Sequence, residues 1–302
     1  MAAIRRSCFS VSWLRKVAGG LLAGLLPLTA IGQILTGTIT ASPAAGPVPY
    51  ANLGIPGKTV GTVTDEHGRY QLAYTPANLA DTVYLSSLGY RPQRVVLREL
   101  VAQPNRTLVP VAVPLADVRV QAAGLYKRRR TLGCTTDSKT ILSGLKAEHL
   151  GAEVGMVISL KHKPTKLLSA RFNVLYRQPD TLLFRVNAYR LLPNGKPSTE
   201  KLLARNLLVS TASRTNPDEP LTVDLTADHL VLEEDFLLTL EWVSGGAAQD
   251  VSKNMHFSSA LGYGKGDLYF RKTSQDSWER PSLGMALAGM QLKVGFYVTA
   301  LD

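Results

Sequence analysis

The run Gly61-Thr62-Val63-Thr64-Asp65-Glu66-His67-Gly68-Arg69-Tyr70-Gln71-Leu72-Ala73-Tyr74 decides the fold class. Tyr70, Leu72 and Tyr74 alternate with Gln71 and Ala73, the period of a strand that buries one face. The Thr64-to-Gly68 segment ahead of it supplies a reversal. Asp65 and its polar followers tolerate turn geometry, and Gly68 accepts a positive φ just before the next strand begins. Working outward, Val95 and Leu97 alternate with Arg94 and Arg98, which predicts another strand. Pro47, Pro49, Pro56 and Gly57 punctuate the approach to it.

The second half follows the same grammar. Leu182, Phe184, Val186 and Ala188 stand against Leu183, Arg185, Asn187 and Tyr189, and Phe236, Leu238, Leu240 and Trp242 against Leu237, Thr239 and Glu241. Further strands are expected over 268–271 and 291–299, with turns at Pro193-Asn194-Gly195, Asn216-Pro217-Asp218 and Gly245-Gly246. Between the halves the alternation weakens over 122–150, which reads as a linker with a short helix around Ser143 to Leu150. The expectation is an all-β protein of two tandem β-sandwiches, 33–121 and 151–302, the second jelly-roll-like. With 302 residues, 45% of them hydrophobic and 19% charged, the chain is long and apolar enough to bury a core in each, which excludes disordered and fibrous classes.

Four landmarks then occur in order: Gly37-Thr38-Ile39, Val48-Pro49-Tyr50-Ala51-Asn52-Leu53, the Gly61-to-Leu72 run, and Leu85-Ser86-Ser87-Leu88-Gly89-Tyr90. With a closing Leu115-Ala116-Asp117-Val118-Arg119-Val120, they make residues 34–121 resemble the carboxypeptidase-regulatory-like domain. That resemblance implies a small transthyretin-like β-sandwich, found at the start of many envelope and secreted proteins of Gram-negative bacteria, and it implies no catalysis. The physical reading agrees: Pro49 and Asn52 suit the entry to a strand, and Gly89-Tyr90 ends one with an aromatic that can plug the sandwich. The second half is similar to the all-β segment that follows this module in exported proteins. Its landmarks are Phe184-Arg185-Val186-Asn187-Ala188-Tyr189, Val223-Asp224-Leu225 and Leu240-Glu241-Trp242. No activity comes with that likeness.

At the N-terminus, Arg5, Arg6, Arg15 and Lys16 precede the apolar run Val17 to Ile31. Small residues Ala30 and Gly32 sit at −3 and −1 of a cleavage before Gln33, so residues 1–32 read as a signal peptide. An uncleaved anchor would need about 20 apolar residues, and the run dissolves into Thr36, Thr38, Ser42 and Pro43. Cys8 lies ahead of the apolar run, where it cannot become a lipidated terminus. The expected localisation is therefore periplasmic, outer-membrane associated or extracellular, with no transmembrane span after cleavage and no nucleic acid as partner. Cleavage lowers the formal net charge from +11 to +7, leaving 30 basic and 23 acidic residues. The basic residues are scattered except for Lys127-Arg128-Arg129-Arg130, which reads as a solvated linker run or as a polyanion contact. Cys134 alone remains, so no internal disulfide forms, and a small buried hydrophobe is its expected role.

The expected catalytic, metal and cofactor sets are empty. A zinc carboxypeptidase needs His and Glu at H-x-x-E spacing, and His149 to Glu153 is one residue too long. Gly54-Ile55-Pro56-Gly57-Lys58-Thr59 lacks the first glycine of a phosphate loop, since Asn52 stands there. Asp65 and Glu66 have too few acidic neighbours for calcium, and Glu233-Glu234-Asp235 reads as a solvated turn. No G-x-S-x-G elbow occurs, and Cys134 has no motif that would make it a nucleophile. A binding or accessory module for a glycan or an envelope protein is the leading expectation, a structural or assembly component of a cell-envelope complex is the alternative, and a hydrolase accessory with weak or unknown activity ranks behind both. Tyr263, Tyr269 and Trp278, in a Gly-rich stretch outside the clearest strands, are the candidate ligand-binding aromatics, with capping of the core as their other reading. Trp242 shares the phase of Phe236, Leu238 and Leu240 and points inward.

Overall fold

The computed structural model describes residues 32–112, 126–145, 148–263, 267–281 and 289–302. The signal-peptide reading and the Leu115–Val120 motif therefore lie outside the described residues, Gly32 excepted. The protein is all-β, with two short α-helices, Leu97–Ala102 and Ala248–Asn254, among its described residues. None of the described helices is long and apolar enough to cross a membrane.

The decisive run folds as its residues require. Asp65 Oδ1 accepts the backbone N–H groups of His67 and Arg69, each at 2.8 Å, closing the turn around one carboxylate. Gly68 sits at φ 74°, and a Cβ there would strike the carbonyl of Ile39. Thr64 ties the turn to the preceding loop, its hydroxyl donating to the Val48 carbonyl and accepting from the Ala51 N–H, both at 2.8 Å. The strand Arg69–Tyr74 then alternates exposed and buried residues and pairs antiparallel with Gln33–Ala41. Gln33–Ala41 also runs parallel to Arg106–Leu108, making a three-stranded sheet. A four-stranded sheet in the order Gly61–Val63, Asn52–Gly54, Thr82–Ser86, Gln93–Val96 completes this sandwich. Ile39, Leu53, Leu72, Leu85, Leu97 and Leu100 fill its core. The expected strand through Leu97 stops at Val96. Leu97–Ala102 is a helix because Leu97 and Leu100, three apart, bury on one side of good helix-forming residues.

The C-terminal sandwich has its own core, in which Phe296 lies edge-on to Phe172 and Phe257 with ring centroids at 4.8 and 5.3 Å. One sheet has six strands, in the order Pro197–Lys201, Leu183–Leu191, Phe236–Ser244, Glu153–Ile158, Leu268–Arg271, with Leu207–Ser210 also paired to Leu183–Leu191. Facing strands include Thr165–Phe172, Leu221–Asp224 and Phe296–Leu301, and the chain passes repeatedly from one sheet to the other, a jelly-roll-like winding. Two of its strands come from 122–150. Arg129–Gly133 pairs with Phe296–Leu301, and Leu142–Gly144 pairs with His256–Gly262 where a short helix was expected. The basic residues of the first and the polar residues around the second mask a strand pattern whose inward members are few.

The two cores belong to one compact unit, Gly32–Asp302. The Gly57 N–H donates to the Gln275 carbonyl at 3.0 Å, and the Gln275 amide reaches Ser86 Oγ at 3.4 Å. The first sandwich and the 272–278 segment thereby come to lie on the outer face of the six-stranded sheet.

Candidate functional site

That outer face holds most of the chain's buried charge. The register places Arg271 beside Glu153, Glu153 beside Glu241, and Glu241 beside Arg185, one row across four strands. Both glutamates are fully buried, and the two arginines are at most 8% exposed. Adjacent carboxylates in a dry space repel, and the row resolves this with an arginine at each end and an amide between. Arg271 donates to Glu153 Oε2 through Nε at 2.8 Å and also through Nη2. Arg185 donates to Glu241 at 3.3 Å. The single Asn187 Nδ2 serves both acids, Glu153 Oε1 at 2.9 Å and Glu241 Oε2 at 3.0 Å. The Thr239 hydroxyl donates to Glu153 as well, and Gly155 makes room for it, since a Cβ there would collide with the Thr239 methyl.

Burial pushes the Glu241 carboxyl up, but Arg185, Lys201 and Arg271 outweigh it and hold the group below the ordinary carboxylate range. Burial and the Glu153 charge push the Tyr189 phenol well above its usual value. Lys201 Nζ donates to Asn187 Oδ1 at 2.8 Å, and desolvation pulls its pKa down to about 8. Two carboxylates and three cations are thus spent on one another.

Arg185 extends the row into the first sandwich. Its Nη1 donates to Asn52 Oδ1 at 3.2 Å and its Nη2 to the Tyr50 carbonyl. Tyr50 sits in the left-handed region at φ 53°, uncommon for a residue with a Cβ. A guanidinium suits this joint because its planar fork can satisfy a carboxylate, an amide and a carbonyl at once.

The three candidate aromatics have different places. Tyr269 is only 2% exposed, on the outer face of Leu268–Arg271, with its hydroxyl donating to the Gly195 carbonyl at 3.2 Å. Arg280 Cζ lies 4.8 Å from the centre of its ring. Trp278 is half-buried, 4.4 Å over Arg271 and edge-on to Tyr189 at 5.7 Å. Trp278 closes over the charged row, where desolvation strengthens the attraction between ring and guanidinium, and Tyr269 packs with Tyr189, Val157 and Leu237 in the apolar patch beside it. Tyr263 is 69% exposed beyond His256–Gly262, where its carbonyl accepts from Lys293 at 3.1 Å. The structure therefore brings Tyr269 and Trp278 together in the apolar patch beside the row, with Trp278 covering Arg271, and Tyr263 alone of the three presents an open ring.

A cleft of about 960 Å³ also opens between the two sandwiches, lined by Thr36, Thr38, Arg69 and Gln71 on one side and by His149 and Ser244 on the other. Among the described residues no group of three or more His, Cys, Asp or Glu side chains gathers as a metal cage would require.

With the Asp65 turn, the Thr64 tie and the two small sheets in view, residues 35–120 match the family described as the CarboxypepD_reg-like domain. The N-terminal sandwich is a CarboxypepD_reg-like domain. The chain is also 31% identical over 144 residues to the TonB-dependent receptor SusC of Bacteroides thetaiotaomicron, a match over 43% of this chain. It spans 14% of that receptor's length.

Sequence reasoning missed the row entirely. Arg185, Asn187, Glu241 and Glu153 have the phase of an outer face, which in isolation reads as solvated. The available signal was the composition of that face: Tyr189, Leu237 and Val157 share it, and a face that is part apolar and part paired charge is one that something covers. Asn52, read as a strand entry, is where the CarboxypepD_reg-like domain meets Arg185.

Proposed function

We propose that this chain is an exported, non-catalytic, envelope-associated binding or accessory module, with the CarboxypepD_reg-like domain as a mount and the C-terminal sandwich carrying the ligand surface. The observation that carries this reading is the use to which the buried acids are put. Glu153 and Glu241, the obvious candidates for acid–base chemistry, are locked between arginines and bonded to Asn187 and Thr239, where no substrate reaches them. A general acid or base must instead lie within hydrogen-bond reach of a substrate. The partial likeness to a TonB-dependent receptor supports an envelope setting. The alternative, a role in assembly, is less favoured by the side of Arg129–Gly133 that pairs with no other strand among the described residues. Its neighbours Lys127 and Arg128 and its own Arg129 are exposed cations that oppose edge-to-edge pairing.

Fractionation of the native host with crosslinking and pull-down tests the reading. Recovery from the envelope with Gln33 as the N-terminus, together with a crosslinked envelope protein or a retained glycan, is the expected result. Recovery from the cytoplasm with Met1 or Ala2 intact would overturn it.

A further inference from the structure

Between the strands Arg129–Gly133 and Glu153–Ile158 lies a pocket of about 570 Å³ that the charged row does not use. Thr131, Thr135, Ser159, Lys161 and Lys293 are among its lining residues, and no carboxylate of the described residues lines it. Among the described residues Lys161 is exposed with no ion-pair partner, and the Lys293 ammonium donates to the Tyr263 carbonyl at 3.1 Å and to no carboxylate. The Ser159 hydroxyl lies beneath the pocket surface, closed off from solvent and without a hydrogen-bond partner among the described residues, so the hydroxyls a ligand can reach here are those of the exposed Thr131 and Thr135. Carboxylates close to this region are already committed. Asp235 accepts the Leu160 N–H at 2.9 Å, Asp302 pairs with Arg130 at 2.6 Å, and Asp267 holds Arg280 and Gln291.

The pocket also continues into the basic run. Thr131 stands on the same strand as Arg129, and Lys127, Arg128 and Arg129 are exposed just ahead of it. Arg130 Nη2 lies 3.3 Å from His162 Nε2, joining the run to the exposed Lys161-His162-Lys163 turn. An array of cations that, Arg130 apart, have no ion-pair partner among the described residues stands beside hydroxyl donors and one open aromatic ring at Tyr263, and it fits a ligand that carries repeated negative charge on a hydroxyl-rich, stackable frame.

We infer that this pocket and the basic run bind the acidic groups of a polyanionic glycan. The inference deepens the proposed binding function by naming its ligand class and its place. Ion pairing sets affinity, so salt weakens binding steeply. The hydroxyls and Tyr263 set the preference for a saccharide over other polyanions.

The test uses the full mature chain and four probes: a sulfated heparin-derived oligosaccharide, an oligogalacturonate, maltohexaose and a single-stranded oligonucleotide of matched charge. Either acidic saccharide should bind, maltohexaose should not, and the sulfated and uronate arms tell which anion is preferred. Lys161→Gln, which breaks no hydrogen bond or ion pair among the described residues, should weaken binding on the order of tenfold with an unchanged melting temperature. Lys161→Gln with Lys293→Gln should abolish it, and Arg128→Gln should lower the salt dependence. Unchanged affinity in the double variant would overturn the site. Equal, lysine-dependent binding of the oligonucleotide would overturn the glycan class. Failure with all four probes, while envelope recovery and partner capture succeed, would sink this inference and leave the proposed function standing.

Discussion

Along Phe236–Ser244, Phe236, Leu238, Leu240 and Trp242 enter the apolar core, while Leu237, Thr239 and Glu241 enter an equally closed space on the other side of the same sheet. One side is held by dispersion and the removal of apolar surface from water, which tolerates small shifts in position. The other is held by directional bonds between charges whose desolvation is unfavourable, and which stabilise only as a complete set. Equal burial therefore conceals opposite responses to change.

The difference is sharpest when one member of the row is removed. Glu153→Leu leaves the Arg271 guanidinium buried without its acid, and a loss of about 3–5 kcal/mol is expected in denaturant unfolding. Leu240→Ala on the core side should cost about 2–5 kcal/mol through lost contacts and a cavity, so the single changes look alike. Double variants separate the two faces. Glu153→Leu with Arg271→Leu should recover most of the loss, because no unpaired charge remains, whereas a second truncation in the core adds to the first. Additive losses in the Glu153/Arg271 cycle would show that the row behaves as ordinary packing.

A smaller effect is expected at the cover. Trp278 lies over Arg271 yet is half-buried, so Trp278→Ala should remove the ring–cation contact and part of the row's shield at a cost of about 1–2 kcal/mol, measured by thermal melting. That places it between an open platform, whose loss leaves stability unchanged, and a core tryptophan, whose loss costs about 3–5 kcal/mol. Glycan binding should be the same in wild type and variant. Weakened binding with an unchanged melt would put Trp278 back among the ligand contacts.

How much of this was legible follows from the same contrast. Period-2 alternation located the core of both sandwiches because Tyr70 and Leu72 in the first, and Phe184, Val186, Leu238 and Leu240 in the second, turn inward at every other position of a strand. The Asp65 turn was legible because its bonds are local, reaching only two and four residues along the chain. The charged row was not, since Glu153 meets Arg271 across 118 residues and Arg185 meets Tyr50 across 135. No short window contains such a pairing, and the residues match a solvated face in composition until a second sandwich is laid on them. Tyr269 falls within the strand expected over 268–271, whereas Trp278 stood apart from any expected strand, and the bridge between Phe270 and Glu279 folds its segment back over the row. Lys127–Arg130 read as linker because its strand partner, Phe296–Leu301, lies at the far end of the chain.

The mildest way to probe the contrast is pH. Lys201 titrates near 8 in the folded protein against its ordinary 10.5, because desolvation disfavours its charge. Between these values the unfolded chain binds more protons than the folded one, so stability contributed by this group rises as pH increases through that window. The rise should be read below pH 10. Above that point, tyrosines with raised values, Tyr189 in the row and Tyr70 at about 12, begin to ionise in the unfolded chain and reverse the slope. Lys201 keeps part of its surface in contact with water, so the gain from pH 7.5 to 9.5 is expected at roughly 1 kcal/mol, below a one-for-one conversion of the shift. Lys201→Met should flatten the profile by that amount, while Leu240→Ala, whose side chain carries no proton, should lower it uniformly. A wild-type profile that is already flat over this range would mean that the Lys201 ammonium stays hydrated and stands outside the row.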